Sequence, residues 1–74
     1  MLKLRDLGSV VSGYELEVHD SKGTELRVNR LGHNKPVRNI IDLIYIDKNY
    51  TVLCIQPNAD HENCMNVFLK EVIK

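Results

Sequence analysis

The chain has 74 residues, of which 43% are hydrophobic and 27% charged, with ten basic and ten acidic side chains and a formal net charge of zero. This composition is typical of a globular protein and excludes a disordered chain. The length predicts one small domain over residues 1–74. Zero net charge gives no overall attraction to nucleic acid or to anionic membranes, and it does not oppose self-association.

The first thirteen residues, MLKLRDLGSVVSG, lack an apolar segment long enough for a secretory signal. No apolar run in the chain approaches the length needed to cross a bilayer. Two cysteines, Cys54 and Cys64, are too few for a disulfide framework. We therefore expect a cytoplasmic protein with reduced thiols and no membrane partner.

A short amphipathic helix is predicted over residues 3–11. Leu4, Leu7, Val10 and Val11 recur at helical spacing, and Gly13 follows where a helix would end.

Two alternating segments, residues 14–19 and 24–30, predict a first hairpin. A three-residue loop with Gly23 in the left-handed region would pair Asp20 with Thr24. This register makes the apolar faces of the two strands coincide and places opposite charges across from each other. The pairs are Val18 with Leu26, Leu16 with Val28, Glu17 with Arg27, and His19 with Glu25.

The segment 31–36 has the composition of a loop, and residues 38–46 and 50–56 predict a second hairpin. Asn49 is the expected left-handed residue of its turn. Apolar residues occupy both alternation phases of this hairpin, which indicates that both faces are covered. Either two helices of the same chain cover them or a second subunit does, so a homodimer formed through the 38–56 hairpin is an open alternative.

Residues 57–60 interrupt the sheet, with Asp60 as a candidate N-cap. The apolar residues that follow have the spacing i, i+3, i+4, i+7, which favours a C-terminal helix over a fifth strand. They are Met65, Phe68, Leu69 and Val72. The predicted fold class is α+β: a short N-terminal helix, an antiparallel sheet of about four strands in two hairpins, and a C-terminal helix.

His61 and Cys64 have the spacing of half a metal motif, and Cys54 lies nearby in sequence. A structural zinc site needs four ligands, usually from two such motifs. We therefore interpret the pair as a helix start with a semi-buried thiol and predict neither metal nor cofactor. No carboxylate pair or nucleophilic arrangement predicts an enzyme.

Between residues 27 and 38 the chain carries five basic or histidine side chains and no acid. Three of them, Arg30, Lys35 and Arg38, lie in or beside the loop at 31–36 and are the predicted binding residues. Such a surface would contact an acidic protein or a phosphate backbone. Zero net charge and the absence of aromatic residues in this stretch argue against nucleic acid. The alternative is a solvated loop with Arg27 paired to Glu17.

The KLRDL-like start followed by hairpins with polar turns resembles small uncharacterised proteins of phages and mobile elements, over residues 3–56. The resemblance implies an accessory role, in some cases inhibition of host defence nucleases, and it assigns no site residue. We predict a non-enzymatic interaction module that acts through protein–protein contacts. The alternative is a nucleic-acid-binding protein that uses the basic loop at 27–38.

Overall fold

A computed structural model describes residues 3–72, and for Arg5 its backbone alone. The described range folds into two small sheets and two short helices. A three-stranded sheet has the order β1-β5-β4, and a two-stranded sheet contains β2 and β3. The elements are α1 (Leu7–Val10), β1 (Glu15–His19), β2 (Arg27–Arg30), β3 (His33–Pro36), α2 (Ile40–Leu43), β4 (Tyr50–Pro57) and β5 (Cys64–Glu71).

The N-terminal segment is helical where the spacing predicted it, but in two short pieces. A 3-10 turn over Leu4–Asp6 runs directly into α1. Leu7 and Val11 lie four residues apart on one face and are fully buried. Gly13, with φ of +88°, then turns the chain into β1.

The turn of the first hairpin is confirmed. Gly23 has φ of +87°, the Asp20 amide donates to the Thr24 carbonyl at 2.9 Å, and His19 bridges Glu25. The Asp20 carboxylate also accepts hydrogen bonds from the amides of Lys22 and Thr24, which fixes the turn locally.

Beyond this turn the predicted hairpin is wrong, because β2 leaves β1 and pairs with β3. The segment 31–36 is therefore not a loop: Leu31 and Gly32 form a two-residue turn, and β3 follows it. Arg27 donates to Asn34 across this new ladder, and Glu17 accepts from Asn58, so the predicted Glu17–Arg27 pair does not form.

The predicted 38–56 hairpin is also wrong in its first half. Residues 40–43 form α2, and β4 pairs with β5 instead. An Asn39 side chain that caps the helix overrides the strand-like apolar pattern. Asn49 is not left-handed; among the non-glycine residues described, Leu31 and Asn63 have positive φ.

The predicted C-terminal helix is a strand. β5 lies in the middle of its sheet, parallel to β1 and antiparallel to β4. It buries Val67 and Leu69, which are two residues apart, and so follows strand periodicity. Asp60 caps no helix, since it lies in the β4–β5 turn, where its amide donates to Asn58.

The core joins α1, the sheets and the segment before α2. Its fully or nearly buried side chains are Leu7, Val11, Leu16, Val18, Val28, Val37, Val67 and Leu69. In the part of the chain that is described, no helix is long and apolar enough to cross a membrane.

Candidate functional site

A capping box starts α2. The Asn39 side chain accepts a hydrogen bond from the Asp42 amide at 3.2 Å, and the Asp42 carboxylate accepts one from the Asn39 amide at 3.3 Å. This reciprocal arrangement satisfies two amides that a helix start otherwise leaves unpaired. It also turns the Asp42 side chain toward the protein interior.

The Asp42 carboxylate is fully buried, and two cations from the β2–β3 hairpin reach it. Arg30 Nη1 donates to Oδ1 at 2.8 Å, and the Lys35 ammonium donates to Oδ2. The Arg38 backbone amide adds a hydrogen bond of 2.9 Å to Oδ2. Asp42, Arg30 and Lys35, with the amides of Arg38 and Asn39, are called the Asp42 cluster below.

The Asp42 cluster keeps its carboxylate ionised. Burial raises the pKa of the Asp42 carboxyl, but hydrogen bonds from Lys35, from Arg30 and from two backbone amides outweigh it. Together they lower the pKa from 3.8 to about 2. The site is therefore a compensated ionic cluster whose carboxylate holds no proton near neutral pH.

The structure brings the predicted binding residues together around Asp42, but their charges face inward. The Arg30 and Lys35 side chains are 29% and 31% exposed and both pair with Asp42. Arg30 also lies over the Tyr45 ring, 5.7 Å from its centroid. The Arg38 side chain is more exposed and pairs with Glu25 at 3.0 Å. Their role as binding residues stays a prediction, although little of their charge is unpaired.

An apolar surface covers the opposite side of α2. Ile41 and Ile44 are 57% and 76% exposed, whereas Ile40 and Leu43 pack partly against the core. A cavity of about 380 Å³ opens beside them. The α2 surface, as we call it, consists of Leu4, Ile40, Ile41, Leu43, Ile44 and Ile46.

Sequence reasoning missed this surface because it placed residues 40–46 in a strand. The signal was present: Asn39 and Asp42 have the three-residue spacing of a capping box. A helix that begins after Asn39 necessarily separates Asp42 from Ile41 and Ile44, since residues one or two positions apart do not share a helix face.

The thiols and histidines do not assemble into a metal site among residues 3–72. No group of three or more histidine, cysteine or acidic side chains in this range is arranged to hold a metal ion. Cys64 is buried, and burial raises the pKa of its thiol, while His61 is exposed in the β4–β5 turn. Such a thiol is a weak ligand and a weak nucleophile at neutral pH.

Comparison with known proteins finds no matching family model, curated protein or solved structure.

Proposed function

We propose that the chain is a small, non-enzymatic interaction module that binds a protein partner through the α2 surface. The observation that supports this most directly is the orientation of α2. It buries an aspartate and leaves Ile41 and Ile44 in water. Folding alone favours the reverse, because burying an isoleucine side chain contributes about 1.5–3 kcal/mol and burying a carboxylate costs free energy unless it is paired.

The Asp42 cluster explains how this orientation is held. Two cations and two amides compensate the buried carboxylate, so rotating α2 to bury its isoleucines would break all of these bonds. The cluster thus acts as a fixed support that presents a preformed apolar surface. A preformed surface binds with a smaller loss of conformational entropy than a flexible one.

The basic stretch at 27–38 supports nucleic-acid binding less than its sequence suggests, because three of its cations are paired with carboxylates. Arg30 and Lys35 are paired with Asp42, and Arg38 is paired with Glu25. A phosphate backbone would have to compete with these carboxylates. The two free thiols suit a reducing compartment, so the cytoplasm is the proposed location.

The test replaces both exposed isoleucines by charges, as Ile41→Asp with Ile44→Lys. These signs suit the start and the end of a helix, and the net charge does not change. We expect the free energy of unfolding to change by less than about 0.5 kcal/mol, because both side chains are exposed. Affinity for the partner should fall by at least about 100-fold, since two apolar contacts are lost.

The matched control is Ser12→Asp with Gln56→Lys, which places the same charges at exposed positions outside the α2 surface. The three proteins are compared by quantitative recovery of bound proteins from cells that produce the chain, followed by affinity measurement with the purified partner. A partner retained equally by all three proteins, or no stoichiometric partner for the unmodified chain, contradicts the proposal.

A further inference from the structure

A second cavity lies between the β2–β3 hairpin and the segment 45–50, and it adjoins the α2 surface at Ile46. Its volume is about 310 Å³, at the lower end of the range for small-molecule sites. Two tyrosines and several polar side chains line it. They include Arg27, Asn34, Tyr45, Asp47, Lys48 and Tyr50.

Arg27 supplies a positive charge that the protein itself does not neutralise. Whereas Arg30, Lys35 and Arg38 are all paired with carboxylates, Arg27 has no acidic partner among the described residues. Its Nε and Nη2 donate to the side chain and backbone oxygens of Asn34, at 2.6 and 3.3 Å. These two bonds hold the guanidinium in place at the cavity without cancelling its charge.

Lys48 adds a second cation to the same cavity. Its ammonium lies 3.6 Å from Glu71, and its side chain is 60% exposed, so this ion pair is weak and exchangeable. Arg27 and Lys48 together offer the charge and donors that a phosphate group requires.

Tyr45 and Tyr50 supply aromatic surface next to these cations. Both are half-buried and so are held by the fold. Aromatic rings beside a basic groove are the usual means of binding a nucleobase by stacking. The basic stretch 27–38 contains no aromatic residue, but the fold brings both tyrosines to it from residues 45–50.

We propose that this cavity binds a nucleoside monophosphate, with the base against Tyr45 or Tyr50 and the phosphate at Arg27 and Lys48. The Asp47 carboxylate, also at the cavity, opposes any additional negative charge and so favours one phosphate over three. It also offers an acceptor for a ribose hydroxyl or a base amino group. A nucleoside monophosphate occurs both as a free nucleotide and as the repeating unit of a single strand of nucleic acid.

The experiment is a titration of the uniformly ¹⁵N-labelled protein, followed by amide NMR shifts, with AMP, UMP, adenosine and inorganic phosphate. We expect saturable shifts at residues 27–34 and 45–50 with a nucleotide dissociation constant in the millimolar range or below. Adenosine and phosphate should each bind at least about 10-fold more weakly, because each makes half of the contacts.

Two variants test the assignment of the charges. Arg27→Gln keeps a donor for Asn34 and removes the charge of Arg27, and Lys48→Gln removes the charge of Lys48. Each should weaken AMP binding by about 5- to 10-fold, whereas Lys22→Gln, at the exposed β1–β2 turn, should leave it unchanged. Both altered side chains are exposed, so the fold should be retained.

An oligothymidylate of eight nucleotides then distinguishes the two sources. If this oligonucleotide binds at least about 10-fold more tightly than AMP or UMP, and if its binding weakens with salt, the ligand is a strand. Equal affinity identifies a free nucleotide. The proposal is overturned by no saturable shift at these residues, by adenosine or phosphate binding as well as AMP, or by an unchanged affinity in both glutamine variants.

Discussion

Asp42 links α2 to the β2–β3 hairpin through Arg30 and Lys35. Replacing it by asparagine, Asp42→Asn, leaves the shape almost unchanged but removes the charge that both cations share. Because these cations are about one-third exposed, water can partly replace the lost partner. We expect the free energy of unfolding to fall by about 2–3 kcal/mol, which is less than for a fully buried pair. Urea unfolding measures the change.

The same substitution should alter the dependence of stability on pH. The pKa of Asp42 is about 2 in the folded chain and near 3.8 when unfolded, so the unfolded chain binds the proton more readily. The carboxylate therefore contributes about 2 kcal/mol above pH 5, and this contribution disappears as the pH falls toward 2. Asp42→Asn should lose this part of the pH dependence, whereas the exposed control Asp60→Asn should retain it. Parallel pH profiles for Asp42→Asn and the unmodified protein contradict the described cluster.

The β2–β3 turn carries a backbone conformation that its sequence does not favour. Leu31 has φ of +53° and is 81% exposed, and Gly32 follows with φ of +82°. Two-residue turns of this kind prefer Asn-Gly, because a side chain such as leucine is strained in the left-handed region. We expect Leu31→Asn to stabilise the protein by about 0.5–1 kcal/mol and to raise the melting temperature by a few degrees.

Leu31→Ala is the control for this turn, because alanine removes the exposed leucine side chain but retains the backbone strain. It should leave the melting temperature within about a degree of the original. Calorimetry of the unmodified protein and of the two variants measures the melting temperatures to be compared. An equal gain for alanine and asparagine would assign the effect to the loss of exposed apolar surface instead of to the turn.

Local signals in the sequence predict local structure well in this chain. The Asp20–Gly23 turn and the register next to it follow from one glycine and one alternation pattern, and both are confirmed. The helical start of the chain is likewise predicted from its apolar spacing. Each of these features depends on residues fewer than ten positions apart, where propensity and pattern act directly.

Strand pairing over long distances was not predictable from such patterns. β1 pairs in parallel with β5, so Leu16 lies beside Met65 and His19 beside Phe68. That partner draws β1 away from β2 and provides β5 with neighbours on both edges. The spacing of Met65, Phe68 and Leu69 favours a helix, whereas Val67 and Leu69 alternate as in a strand, and tertiary pairing decides between the two structures. The Asp42 cluster was missed for a local reason, because residues 40–46 were placed in a strand although Asn39 and Asp42 have the spacing of a capping box.

At the scale of the whole molecule, the α2 surface is an exposed apolar patch. Its Ile41 and Ile44 side chains are 57% and 76% exposed in the folded chain. Exposed apolar patches of this kind favour association. A chain with zero net charge has no general repulsion that would keep such surfaces apart.

Without its partner, the protein should therefore self-associate weakly through the α2 surface. We therefore expect a homodimer to form through α2 and not through a 38–56 hairpin, because residues 40–43 are helical. Sedimentation velocity should show a concentration-dependent shift from monomer toward dimer, strengthened by sulfate and reversed by Ile41→Asp with Ile44→Lys. The Ser12→Asp and Gln56→Lys control should behave as the unmodified chain. A monomer at all concentrations, or a dimer that survives the isoleucine substitutions, would show that the α2 surface does not drive self-association.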